Sequence, residues 1–153
     1  MPPFYVSIEK DYFKDYGIDV TPTELKKLWV EIYRIIKPGG HLRICMPDYY
    51  SPYVKMRSMT DRDGRIVFDG GGGGTYDQNG ISNDGQVYFA TYDSLNVILD
   101  KSKFQNIDWL CYRTKEETLH KKNIDYKKGY LKRVNNEEDK NDYCLVVDCI
   151  KEI

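Results

Sequence analysis

The amino-acid sequence predicts an α/β fold in one domain, with helices that feed directly into buried strands. Three observations predict it. Thr21-Pro22-Thr23-Glu24 opens an amphipathic helix, which Lys37-Pro38-Gly39-Gly40 stops just before an apolar stretch. A second capped helix begins at Thr91 and leads into the strand-like FQNIDWLCYR. The chain closes on YCLVVDCI, rich in Val, Ile and Cys and suited to a buried strand.

The elements follow in order. Phe4-Tyr5-Val6 is a short apolar stretch, readable as a strand remnant before a polar loop. Thr21 then serves as N-cap, Pro22 fills the first helical position and Glu24 completes a capping box. Leu25, Leu28, Trp29, Ile32, Ile35 and Ile36 recur at helical spacing as one apolar face. Pro38 cannot continue the helix, and glycine accepts the left-handed cap that follows. His41 to Met46 reads as an inner strand, and Tyr49-Tyr50-Ser51-Pro52-Tyr53 leaves the sheet. Residues 58–86 read as a glycine-rich loop, with five glycines at 70–74. Thr91 to Ser94 cap the second helix and Leu95, Ile98 and Leu99 face inward, while residues 114–142 form a polar, lysine-rich insertion.

Composition excludes several classes. The chain has 153 residues, 41% hydrophobic and 31% charged, which fits one soluble globular domain. A net charge of −1 gives no support to a nucleic-acid or anionic-membrane partner. The lysines between 121 and 133 are followed by Glu137, Glu138 and Asp139, a mixed-charge solvated loop. No apolar run is long enough to span a membrane, and the N-terminus has no signal segment. Cys45, Cys111, Cys144 and Cys149 form no CxxC pair, and three sit in apolar runs. Reduced core thiols and a cytoplasmic setting are expected. His41 and His120 lack cysteines or carboxylates at ligand spacing, so no metal site is expected.

These elements together resemble class I S-adenosylmethionine-dependent methyltransferases of the type 11-like group. Leu28, Glu31, Arg34 and Lys37-Pro38-Gly39-Gly40 stand where the family has "L..E..R.LKPGG", with Ile36 for its leucine, and Pro47-Asp48 where its strand ends in "PD". TYDSLNVILDKSKFQNIDW resembles the next helix–strand unit, with Ser102-Lys103-Phe104 in place of Ala-Gly-Phe. YCLVVDCIKEI resembles the family's final strand, which runs antiparallel beside the one before it. The resemblance covers most of residues 20–153 and implies a partial Rossmann-like methyltransferase sheet, its second half, with the last strand antiparallel. Such enzymes hold the methyl donor on a glycine-rich loop after the first strand, where backbone amides approach the ligand closely. The run at 70–74 lacks the strand before it and the helix after it that such a cradle needs. Pro2-Pro3-Phe4 is only superficially like an amino-methyltransferase D/N-P-P-aromatic motif, since Met1 stands at the acceptor position.

The resemblance therefore implies a chain that begins about halfway through a methyltransferase domain. S-adenosylmethionine is the implied cofactor, with negligible binding expected from the chain alone. Tyr5-Val6-Ser7-Ile8-Glu9 faintly resembles the end of the fourth strand, which makes Ser7 and Glu9 candidate cofactor contacts. Ligands in open α/β sheets lie beyond the carboxyl ends of the strands. Asp48, Tyr49 and Tyr50 leave the strand there, so Asp48 is the candidate catalytic residue and Tyr49, Tyr50 and Tyr76 are candidate substrate contacts. Asp48 can orient or deprotonate a nucleophile, or it can cap its loop by accepting nearby amides, the commoner use. The expected partners are a small methyl acceptor and a second copy or complementing chain at the open sheet edge. A non-catalytic α/β interaction module is the competing reading.

Overall fold

A computed structural model describes residues 5–9, 22–72, 75–82, 88–125 and 143–153. β1 (Tyr5–Glu9) precedes α1 (Pro22–Ile35), which leads into β2 (His41–Pro47). A short α2 (Pro52–Met56) follows, then β3 (Ser58–Thr60), β4 (Ile66–Asp69), β5 (Thr75–Asp77) and β6 (Gly80–Ser82). α3 (Tyr92–Asp100), β7 (Asn106–Arg113), β8 (Leu119–Lys121) and β9 (Cys144–Ile150) complete the elements of the described residues.

Among the described residues the main sheet has five strands, in the order β1-β2-β9-β7-β8. β1 runs parallel to β2, as a strand–helix–strand crossover through α1 would give. The closing strand β9 lies between β2 and β7 and runs antiparallel to both. The expected α/β class and antiparallel last strand are observed. The sheet nevertheless differs from a doubly wound one, which carries helices on both faces. Here residues of α1 and α3 pack on the face that presents Leu42, Ile44, Leu145, Val147 and Cys149. The opposite face holds a smaller cluster of Cys45, Leu110, Cys111, Cys144 and Val146, covered by Ile124 rather than by a described helix.

α1 buries Leu25, Trp29 and Ile32, and Ile36 just past its end is buried with them, while Ile35, assigned to the same stripe from its spacing, is 61% exposed. At roughly 100° per residue, Ile35 lies about 80° around the helix from Leu25, beyond the buried stripe. The Thr21 cap lies outside the described residues. At the other end Gly39 takes the left-handed conformation, φ 74°, and its amide donates to the Lys151 carbonyl at 2.8 Å. The Lys151 ammonium donates to the carbonyls of Tyr33 and Ile36, both at 2.8 Å. A cation thus caps the negative end of the helix dipole, and the turn is clamped by the chain's last strand. Replacing Gly39 with alanine is expected to cost about 1–2 kcal/mol, the usual penalty of an L side chain in that conformation. A Cβ there would meet Ile153 at an ordinary 3.7 Å, so the penalty is one of backbone alone. A urea-denaturation midpoint indistinguishable from the parent's would contradict it.

Two predicted loops contain structure. Within 58–86, β3 pairs with β4 and β5 with β6 as short hairpins. Within 114–142, β8 joins the sheet beside β7, and residues 126–142 lie outside the described part. All four cysteines are buried, and no disulfide joins them. Burial, then the neighbouring Asp148 carboxylate, push the Cys149 thiol up to about 12, as expected of an inert core thiol.

Candidate functional site

β1, β2 and β7 point the same way, so Glu9, Pro47 and Arg113 end at one edge of the sheet. The segment after β2 is held there by backbone. The Asp48 amide donates to the Tyr143 carbonyl at 2.7 Å, and that of Tyr49 to Ala90 at 3.0 Å. Asp48 itself is buried. Its Oδ1 accepts the Tyr50 amide at 2.9 Å and its Oδ2 the Arg113 amide at 2.8 Å. Burial raises its carboxyl above the ordinary range, against those two hydrogen bonds. The candidate catalytic carboxylate therefore points inward and fastens the β2 exit to the end of β7. It serves the loop-capping use of such a residue.

Tyr49 is also placed differently from its assignment. Its ring is buried edge-on to Phe89 at 5.1 Å, and its hydroxyl donates to Asp69 Oδ2 at 2.7 Å. Burial, reinforced by that bond to Asp69, raises its phenol. Asp69 also binds Arg57, with Nε 2.8 Å from Oδ1, and accepts the Gly71 amide at 2.8 Å. Tyr76 stands exposed on the β5–β6 hairpin. Ser7 and Glu9 lie on β1 opposite Arg43 and Cys45, which puts Glu9 at the shared edge; their side chains are outside the described part.

Of the three predicted residues that leave β2, Tyr50 is the one that is only partly buried. Its hydroxyl donates to Asp93 Oδ2 at 2.6 Å, at the first turn of α3. Burial, then the bond to Asp93, raise its phenol, so Tyr50 acts there as a proton-bearing donor. Lys55 lies 5.9 Å from the Tyr50 ring centre and pairs with Glu117 at 2.6 Å, while Arg113 donates to the Glu117 carbonyl at 2.8 Å. Two buried polar atoms beside them, Ser51 Oγ and Arg113 Nε, have no partner among the described residues.

The sheet edge is thus lined by a phenol–carboxylate pair and neighbouring cations. Such a set can orient a hydroxyl or amine, with Asp93 as acceptor and the Tyr50 oxygen as a second acceptor, since its one proton is committed to Asp93. Sequence spacing marked Asp93 only as a first-turn acid, because its partner lies 43 residues away. Among the described residues no three His, Cys, Asp or Glu side chains gather as a metal site. No described helix is long and apolar enough to cross a membrane. No known family, curated protein or solved structure matches the chain.

Proposed function

We propose that the chain is part of an S-adenosylmethionine-dependent methyltransferase-type α/β domain, holding the methyl acceptor at the Tyr50–Asp93 edge while another segment cradles the donor. One observation carries this reading. The closing strand β9 runs antiparallel beside β7, in one sheet with the β2 strand that Lys37-Pro38-Gly39-Gly40 introduces. That is the arrangement implied by the resemblance to class I methyltransferases. Tyr50 and Asp93 replace Asp48 and Tyr49 as the proposed acceptor contacts, and Ser7 and Glu9 remain on the strand facing the donor side.

Titration calorimetry with S-adenosylmethionine tests the reading in two arms. The isolated chain is expected to give no saturable heat, and micromolar binding to it would overturn the separate cradle. The chain purified from its source with its native partners is expected to bind the donor one to one. A native assembly that neither binds the donor nor contains a glycine-rich strand–loop–helix would overturn the methyl-transfer reading. The second reading, a non-catalytic interaction module, is favoured by one feature. Among the described residues nothing pairs with the outer edge of β1, and open edges invite another chain. A concentration-independent monomer in sedimentation runs would count against it.

A further inference from the structure

We propose that Asn79–Gly80, at the tip of the β5–β6 hairpin, is a self-modification site, where the Gly80 nitrogen displaces ammonia from the Asn79 side chain and water opens the resulting ring. Alone among the chain's asparagines, Asn79 is followed by glycine. β5 ends at Asp77 and β6 begins at Gly80, so Gln78 and Asn79 are the whole turn. Gly80 takes φ 110°, a conformation that side chains of L-residues rarely adopt, so the hairpin itself calls for glycine at that position. The fold thus places the least hindered backbone nitrogen next to an amide electrophile.

The step needs no reactant but water. As the Gly80 amide gives up its proton to solvent, a bond forms from its nitrogen to Asn79 Cγ. The Cγ–Nδ2 bond breaks, and the leaving nitrogen takes up a proton and departs as ammonia. Water then opens the five-membered succinimide at either carbonyl. Release of Cγ from the nitrogen gives aspartate, and release of the main-chain carbonyl gives isoaspartate, whose backbone runs through Cγ. No electrons are gained or lost overall.

Two features of the hairpin permit the attack. Residues 75–81 are all exposed, and among the described residues no atom lies within 4 Å of the place a Cβ on Gly80 would take. The hairpin also forms a two-stranded sheet of its own, with three residues in each strand. Isolated hairpins of that size are marginal in water, and such segments open at little cost in free energy. Strand pairing therefore delays the reaction little. Two other Asp–Gly pairs lack this combination. The Gly64 amide donates to the Asp61 carbonyl at 3.1 Å and that of Gly70 to Arg57 at 3.3 Å, while the Asp69 side chain is fully buried. Asn96 is held in α3, its amide donating to Asp100 at 3.0 Å and its oxygen accepting from Trp109 at 3.2 Å. Isoaspartate would add a main-chain carbon and a negative charge to the turn, breaking the Tyr76–Ile81 register. The proposal is independent of methyl transfer.

The full chain is held at mildly alkaline pH and digested with trypsin, and the peptide 66–101 is read by electron-transfer fragmentation. That method locates each amide-to-acid change and separates isoaspartate from aspartate, and the same peptide carries Asn96 as internal control. Asn79 is expected to convert at least about tenfold faster than Asn96, a barrier lower by roughly 1.4 kcal/mol. It is also expected to stay within about tenfold of the rate in a synthetic 75–82 peptide, the same interval of barrier. Gly80→Ala is expected to slow conversion by a similar factor, although alanine strains the turn and leaves it looser. Conversion no faster than at Asn96, protection far beyond tenfold relative to the peptide, or an unchanged rate in Gly80→Ala would each overturn the proposal. The first two comparisons use the unaltered chain and decide the matter however the variant folds.

Discussion

Replacing Asp148 with asparagine is expected to destabilise the protein by about 3–5 kcal/mol, the usual cost of stranding one partner of a buried ion pair. Arg43 is 2% exposed, yet it sits in the middle of β2 with a full positive charge. Its guanidinium grips Asp148 on the neighbouring strand with two bonds, Nε to Oδ1 at 2.6 Å and Nη2 to Oδ2 at 2.7 Å. Nη1 donates to the Asp125 carbonyl at 3.0 Å, fastening the segment that carries Ile124 over this face. Asparagine preserves the shape but removes the charge, and turns a donor toward a donor. Domains are commonly stable by only about 5–15 kcal/mol, so the loss would consume a large share of the total. Urea denaturation of Asp148→Asn measures it, and a change under about 1 kcal/mol would show that water reaches the pair. The double replacement Arg43→Met/Asp148→Leu is expected to recover most of the stability, because apolar residues of similar volume often replace a buried pair at no net cost. Hydrogen exchange should then show residues 122–125 loosened, since the Asp125 carbonyl has lost its donor.

The elements legible in the sequence are those long enough to show a period. α1, α3, β2, β7 and β9 lie close to their predicted positions, and the α3 cap forms as read, with Thr91 and Ser94 bonding reciprocally. The hairpins within 58–86 were hidden because strands of three or four residues have no measurable alternation and the glycines dominate the composition. A signal was nevertheless present. Asp61 accepts the amides of Asp63 and Arg65, and Asp77 that of Asn79, the side-chain-to-backbone bonds that make Asp-x-Asp-Gly and Asp-x-Asn-Gly turn sequences. The site was less legible for a different reason. Asp48 had two readings, and its choice depends on the amide of Arg113, 65 residues further on. The Arg43–Asp148 pair spans 105 residues. Trp109 and Tyr112 share a face only because of a bulge in β7 against β9, and register is a property of the partner strand.

Asp69→Ala carries the other large expected effect, about 3 kcal/mol. The side chain of Asp69 is fully buried and accepts from the Tyr49 hydroxyl, the Arg57 guanidinium and the Gly71 amide. Stranding a buried donor costs about 1–3 kcal/mol, and Tyr49, at 2% exposure, has least access to water as a substitute. The glycine run contributes through close approach: a Cβ on Gly71 would fall 2.6 Å from the guanidinium carbon of Arg57, so glycine lets that cation reach Asp69. The loss should shrink in acid. Burial pushes the Asp69 carboxyl up, but the bonds from Tyr49, Gly71 and Arg57 outweigh it and hold the carboxyl below its usual value of 3.8. A carboxylate depressed on folding stabilises the protein above its unfolded pKa, and that contribution disappears as pH falls through the folded value. Asp48 acts in the opposite sense, because its raised carboxyl favours the folded state in acid and loses that contribution as pH rises. The difference between parent and Asp69→Ala is therefore expected to be constant near neutrality and to narrow below about pH 4. Thermal unfolding from pH 7 to pH 3 measures it, and a difference that widens in acid would mean that Asp69 is protonated in the native protein. The same variant ties stability to the proposed site. Tyr49 fixes the β2 exit through Asp69, so loosening it should broaden the resonances of Tyr50 before those of the β9 core.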